Sequence, residues 1–437
     1  MRTNLAVKHP PIVTNEGGAA VRIGPERELR RTVAACMLWE SGFYESGASV
    51  ADRIKSLVPQ CSPACVAACA FEARTKMKLR HVPLLLVREM ARHPAHRLLV
   101  AKLLPDIIQR ADELAEFLSI YWKDGADQPV SKQVKTGLAA AFLKFNEYQF
   151  AKYNRDGAVK LRDVLFLCHA KAQTVEQEAL FKKIVDGKLT TPDTWEVALS
   201  GGADKKATFE RLMAEGQLGA LAFLRNMRNM KEAGVLPETV TEYAAKVDIS
   251  RVLPFRFIAA ARVVPEWEHW IEPMMLRACE GQTKLAGKTV VMLDVSGSMF
   301  SHISAKSDLQ RIDAACGLAI LLRELCDDVE VITFSDGQAR VPARRGFALR
   351  DAIVNSQQHG GTYLGRAVAA VNKECTFDRL IVLTDEQSAD AVPVPAAKGY
   401  VINVASNKNG VGYGPWNHID GWSEAVIGYI QEFEKEA

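Results

Sequence analysis

The spacing of apolar residues changes character once, near GQTKLAGK at residues 281–288, and that change constrains the fold more than any other feature. From residue 28 to about 280 apolar side chains recur at helical intervals. LLLVREMARHPAHRLLVAKLLPDIIQRADELAEFLSIYW reads as helices, with breaks expected at Pro94 and Pro105. SKQVKTGLAAAFLKFNEYQFAKYN follows, with Ser131 as an N-cap, and TFERLMAEGQLGALAFLRNMRNM and PETVTEYAAKV continue the pattern. Helices joined at Gly or Pro predict an α-solenoid, although no exact repeat period is visible. Beyond residue 284 the strands TVVMLD, VEVITF, RLIVLTD and YVINVAS alternate with a helix at about 308–326, with GRAVAAVNKE and with SEAVIGYIQEFEKE. Apolar strands alternating with amphipathic helices predict a parallel sheet covered on both faces. The expected organisation is an N-terminal arm over 1–24, a helical domain over 25–283 and an α/β domain over 284–437.

The composition fits that plan. Of 437 residues, 48% are hydrophobic and 24% charged, the balance of an ordinary globular chain. No apolar run approaches the ~18 residues of a membrane span, and the N-terminus lacks the apolar block of a signal peptide. Nine scattered cysteines fit a reducing compartment, so a cytoplasmic protein is expected. Cys61, Cys65 and Cys69 read as a stripe of small buried residues and not as metal ligands. Residues 1–284 carry 41 Lys and Arg against 33 Asp and Glu, a net +8, and the remainder a net −5. A basic helical part suits a polyanion, and an acidic α/β part suits a cation.

The acidic part contains the sharpest motif, VVMLDVSGSMF at 290–300. In a parallel sheet the working loops follow the carboxyl ends of the strands. Asp294, Ser296 and Ser298 follow the first strand, Thr362 in GGTYLG opens a helix, and Asp385 ends another strand. Two carboxylates and three hydroxyls form a hard oxygen set that favours Mg²⁺, Mn²⁺ or Ca²⁺ over zinc. With only two carboxylates among its donors, the cation would seek a further anionic oxygen from a partner. These five positions resemble the metal-ion-dependent adhesion site of von Willebrand factor A domains. The resemblance implies a doubly wound, Rossmann-like domain, with the serines and threonine touching the metal and the aspartates acting through water. His302 and His359 flank the loops and could act as acid and base in a metal hydrolase, a weaker reading. No GxxxxGK[ST] loop is present.

The basic part has two clusters. EARTKMKLRHVPLLLVRE contributes Arg74, Lys78 and Arg80. The second holds Lys132, Lys135, Lys144, Lys152, Lys160, Arg162, His169 and Lys171, with Tyr148, Phe150 and Tyr153 interleaved. Lysines neutralise phosphates and aromatic rings stack on unpaired bases; a solvated helix face over an aromatic core is the competing reading. The order of parts, with EARTKMKLRHVPLLL, LRDVLFLCHAK, ALAFLRNMRNM and SRVLPFRFI, resembles the TROVE family, the Ro ribonucleoprotein autoantigens and their bacterial counterparts. The resemblance covers the chain from about residue 25 to the end. It implies a ring of HEAT-like repeats closed by the A domain, binding 3′ ends of misfolded noncoding RNA and small Y-like RNAs. It also implies an exoribonuclease tethered through RNA, and it sets Lys132, Lys135 and His169 near the RNA-contacting surface.

The expectation is therefore a monomeric, non-enzymatic RNA-binding scaffold or chaperone. Its residues toward RNA are Lys132, Lys135, His169, Lys171, Arg74, Lys78, Arg80 and Lys144. Its metal residues are Asp294, Ser296, Ser298, Thr362 and Asp385, with Mg²⁺ ahead of Mn²⁺ or Ca²⁺. The alternatives are a metal-dependent module recruiting an acidic protein and, last, a metal-dependent nuclease.

Overall fold

The computed structural model describes residues 12–13, 19–20, 24–34, 47–123, 125, 128–154, 157–250, 252, 255–280, 283–303, 309–386, 388–405, 415–420, 426–427, 430–431 and 434. Most of the expected arm and of the final helix, and parts of SRVLPFRFI and of GQTKLAGK, lie outside them. The chain divides into two compact units, residues 51–252 and residues 1–50 with 253–437.

The unit 51–252 is built of helices and, among its described residues, has no strand. Leu84, Leu104, Phe117, Leu138, Phe142 and Phe150 are fully buried in its core. Ser131 caps the helix Lys132–Phe142 by accepting from the Val134 amide. That helix packs on Val100–Ile107 through Gly137, where a Cβ would lie 2.9 Å from Leu104 Cβ. Pro94 lies in the turn after the helix His81–Arg92, as expected. Pro105, expected to break a helix, lies inside Val100–Ile107. It falls in the last turn, and Lys144 Nζ donates to the carbonyls of Pro105 and Ile108 there, so orphan acceptors are satisfied. Cys61 and Cys69 are buried and Cys65 is half-buried.

The other unit is built on strands. The pair β1 (Ile12–Val13) and β2 (Ala19–Ala20) is antiparallel. The main sheet holds β3 (Leu285–Asp294), β4 (Cys326–Phe334), β5 (Gln338–Arg340), β6 (Arg379–Thr384), β7 (Lys398–Asn403) and β8 (Asn417–Asp420), in the order β5-β4-β3-β6-β7-β8. Every pairing is parallel except β4 with β5. The antiparallel edge, β8 and the helix Gly346–Val354 were not foreseen, because β5 and β8 are too short for periodicity to register. The interior strands are buried on both faces, which is why they read as near-continuous apolar runs.

The helix Arg311–Leu325 is buried along almost its whole length and packs on β3 and β4. Three helices outside the expected 284–437 segment belong to this unit. Pro25–Ala34 packs beside β8, and Phe255–Val263 and Glu268–Cys279 pack against Arg311–Leu325. Strand order reverses at β3, so the carboxyl ends of β3, β4 and β6 frame the crevice where such sheets hold ligands.

Candidate nucleic-acid groove and candidate metal centre

The helical unit contains a groove of about 1260 Å³, lined by residues from 110 to 252. Its best-defined wall is the short helix Glu147–Tyr153. A capping box between Asn146 and Gln149 starts this helix. Phe150 anchors it, with ring centroids 4.9 Å from Phe142 and 5.8 Å from Phe145. With Phe150 turned to the core, Tyr148 and Lys152, four residues apart, share the open face. Lys152 Nζ lies 5.8 Å from the ring centroids of both Tyr148 and Tyr153. Arg110 stacks over Tyr153 at 4.5 Å while forking onto Asp112 at 3.1 and 2.8 Å.

Trp195, Arg225 and Lys246 complete the functional lining from three other helices. Among the described residues Lys152, Arg225 and Lys246 have no ion-pair partner. The groove thus sets cations that have no ion-pair partner among the described residues beside aromatic rings. That combination binds unpaired nucleotides by phosphate contact and stacking.

None of the eight residues expected to touch RNA lines this groove. Lys78, Lys132, His169 and Lys171 are exposed and Lys135 is half-buried. His169 adopts a left-handed conformation, φ 53°, as the C-cap of Leu161–Cys168. Three of the expected residues are instead tied into the fold. Arg74 is buried and donates to both oxygens of Glu113 at 2.7 Å. Arg80 pairs with Asp112 at 2.5 Å and with Glu116. Lys144 holds the two carbonyls described above. Their cationic groups are engaged by partners that compete with a phosphate.

In the sheet unit, β3 delivers Asp294 fully buried to the carboxyl edge. Its Oδ1 accepts from the Ser296 amide at 2.9 Å and its Oδ2 from Thr384 Oγ1 at 2.6 Å. Leu293 pairs with Leu383 in parallel register, which sets Thr384 beside Asp294. Ser296 Oγ lies 3.3 Å from Ser298 Oγ across the tight turn Gly297–Phe300. The Thr362 loop is bound to both neighbouring loops. Gly297 donates to the Gly360 carbonyl at 3.2 Å, Gly360 to Ser335 Oγ at 2.7 Å and Gly361 to Asp336 Oδ1 at 3.0 Å. Gly365, just after it, is obligatory, since a Cβ would meet the Ala391 carbonyl oxygen at 2.1 Å. Thr362 itself is buried, and its carbonyl accepts from Ala389. His359 lies with Nδ1 2.8 Å from the Val295 carbonyl and packs on Phe300, so it clasps the loop; His302 is exposed.

Burial, followed by the adjacent charge of Asp385, pushes the Asp294 carboxyl up to about 7. Asp385 is also fully buried and accepts from Arg311 Nη1 at 2.8 Å. The Arg311 side chain is itself buried, and sequence reasoning missed it. Among the described residues no cluster of three or more His, Cys, Asp or Glu could hold a metal, so a cation here would rest on hydroxyls and aspartates. The donors fit one. Octahedral neighbours at Mg–O distances of about 2.1 Å stand about 3 Å apart, and slightly more for Ca²⁺. The two serine hydroxyls, 3.3 Å apart, have that separation. Both Asp294 oxygens are oriented by hydrogen bonds and keep lone pairs for a metal or its water.

The fold has a solved counterpart. The crystal structure of Deinococcus radiodurans RO (RSR) protein matches with a TM-score of 0.65 at 18% identity, over 93% of this chain and 99% of that chain. The family model of the TROVE domain matches residues 186–299, a span running from the helices through Asp294, Ser296 and Ser298. The family model covers part of this chain, and the likeness to the Ro crystal structure is one of fold.

Proposed function

We propose that the protein is a Ro-type RNA-binding scaffold, and that it holds single-stranded RNA in the groove of the helical unit. The observation that carries this reading is Lys152 set between Tyr148 and Tyr153, with Arg225 and Lys246 along the same groove. Phosphates meet the lysines and arginines, and bases stack on the tyrosines and Trp195. The exposed Lys78, Lys132, His169 and Lys171, with the half-buried Lys135, suit a structured partner such as a Y-like RNA. The clients in this reading are small noncoding RNAs and the 3′ ends of misfolded ones. The setting is RNA quality control in the cytoplasm, with an exoribonuclease tethered through RNA. The helices act as a HEAT-like solenoid and the protein acts as a monomeric binder, not an enzyme. Among the described residues no helix is long and apolar enough to cross a membrane. The test is filter binding of a 20-nucleotide single-stranded RNA. Replacing Tyr148 and Tyr153 with alanine one at a time should weaken it about tenfold each. Unchanged affinity in both would remove the groove from the account.

The serine pair favours a second reading for the sheet unit, compatible with the first. In it the unit is a von Willebrand factor A-like domain with a metal-ion-dependent adhesion site. Asp294, Ser296, Ser298 and Thr362 would hold a divalent cation, Mg²⁺ ahead of Mn²⁺ or Ca²⁺, and Asp385 would act through water. A bound cation supplies a Lewis-acidic position for an acidic protein ligand. The chain's own part is to hold and orient: Thr384 and the Ser296 amide fix the Asp294 carboxylate, and His359 fixes the serine loop. In this reading His359 holds the serine loop through the Val295 carbonyl and acts as neither acid nor base. Labelled RNA should therefore stay intact with Mn²⁺, and cleavage would favour the nuclease reading instead.

A further inference from the structure

The residue with the largest consequence outside the expected donor set is Arg311. It is the first residue of the helix Arg311–Leu325, and its guanidinium projects into the carboxyl edge of the sheet. Nη1 donates to Asp385 Oδ2 at 2.8 Å and lies 3.5 Å from the Ser298 carbonyl. Side-chain exposure is 1% for Arg311 and 0% for Asp385. A buried ion pair of this kind is strongly coupled, because neither charge has water as an alternative.

We propose that Arg311 is a resident counter-cation of this centre, which makes retention of a divalent metal depend on an anionic oxygen ligand. The inference rests on the metal reading above. Asp385 is already matched by Arg311. Only Asp294 remains to balance a dication, so the loaded centre carries one net positive charge in a site largely closed to water. Such a charge is costly unless an anion enters with it. Metal and anion then bind with positive coupling, and the coupling is reciprocal. A carboxylate oxygen of a partner meets the requirement. The centre is thereby a sensor of an acidic partner, weakly metallated alone and well metallated in the complex.

The test measures Mn²⁺ binding to the full chain by electron paramagnetic resonance at neutral pH, with and without acetate as the anionic probe. In the wild type, acetate should tighten Mn²⁺ binding. Arg311→Gln removes the charge but keeps an N–H donor, so it should bind Mn²⁺ about tenfold tighter without acetate and lose the acetate effect. Arg311→Lys keeps the charge and should behave as the wild type. The double variant Arg311→Gln/Asp385→Asn has the wild-type net charge but lacks a metal-site carboxylate, so it should bind Mn²⁺ no tighter than the wild type and regain the acetate effect. Arg311→Gln binding no tighter than the wild type, or a double variant as tight as Arg311→Gln, would overturn the role of Arg311 alone. Should Arg311→Gln not fold by circular dichroism, the double variant decides: tight, acetate-independent binding rejects the proposal. Wild-type binding no better than that of Asp294→Ala rejects the metal reading and the proposal with it.

Discussion

Arg74 donates to both carboxylate oxygens of Glu113 at 2.7 Å, across 39 residues of sequence and with both side chains buried. Glu113 also accepts from the backbone amides of Gln109 and Arg110, ahead of the helix Asp112–Tyr121. Burial pushes its carboxyl up, while Arg74 and those amides pull the other way. Removing the arginine leaves a buried acid with only the more distant Arg80, 3.6 Å away, as counter-ion. Arg74→Ala should therefore destabilise the protein by about 3–5 kcal/mol, read from urea unfolding. Whatever fraction folds should bind single-stranded RNA within about twofold of the wild type, since Arg74 does not line the groove.

Lys144 makes the same point at the surface. It donates to the Ile108 carbonyl at 2.7 Å and to that of Pro105, closing the end of Val100–Ile107. Burial holds its ammonium below the usual lysine range. Lys144→Met should cost about 1–2 kcal/mol of stability in the same assay. It should leave the salt dependence of RNA binding unchanged. A shallower salt slope would return Lys144 to the list of phosphate contacts.

The raised Asp294 carboxyl predicts a specific pH response. A carboxyl that ionises near 7 when folded and near 4 when unfolded favours the folded state most below the unfolded value. That contribution is lost as pH rises from about 4 through about 7. Metal-free protein should accordingly lose stability over this window by an amount on the order of 2–4 kcal/mol. Asp294→Asn should flatten the profile. Because a metal must displace the same proton, Mn²⁺ affinity should rise with pH and level off above about 7. Calorimetry across pH 4.5–8 checks both; equal profiles for wild type and Asp294→Asn would contradict the assignment.

What was legible in the sequence follows from how local each feature is. Asp294, Ser296 and Ser298 lie within five residues at a strand end, so strand pattern and motif single them out together as candidates. Thr362 and Asp385 needed the parallel-sheet rule, which brings carboxyl ends to one edge, and the loops after β3, β4 and β6 do meet there. Arg311 was invisible because its direction depends on how Arg311–Leu325 docks on β3 and β4, not on any neighbour in sequence. The engagement of Arg74 and Arg80 was illegible for the converse reason. Their partners Asp112, Glu113 and Glu116 come from another helix, and charge runs say nothing of distant acids. Tyr148, Lys152 and Tyr153 were readable as interleaved aromatics and cations. Trp195, Arg225 and Lys246 come from separate helices and join them only in the folded groove.

The central claim is that the groove around Lys152 binds single-stranded RNA largely through phosphates. Filter binding of a 20-nucleotide single-stranded RNA, titrated with salt, tests it most directly by comparing the wild type with Lys152→Ala/Arg225→Ala/Lys246→Ala. Each lost phosphate contact should reduce the magnitude of the slope of log K against log salt by about 0.7, so the triple variant should lose about 2. A triple variant with the wild-type slope and affinity would contradict the account.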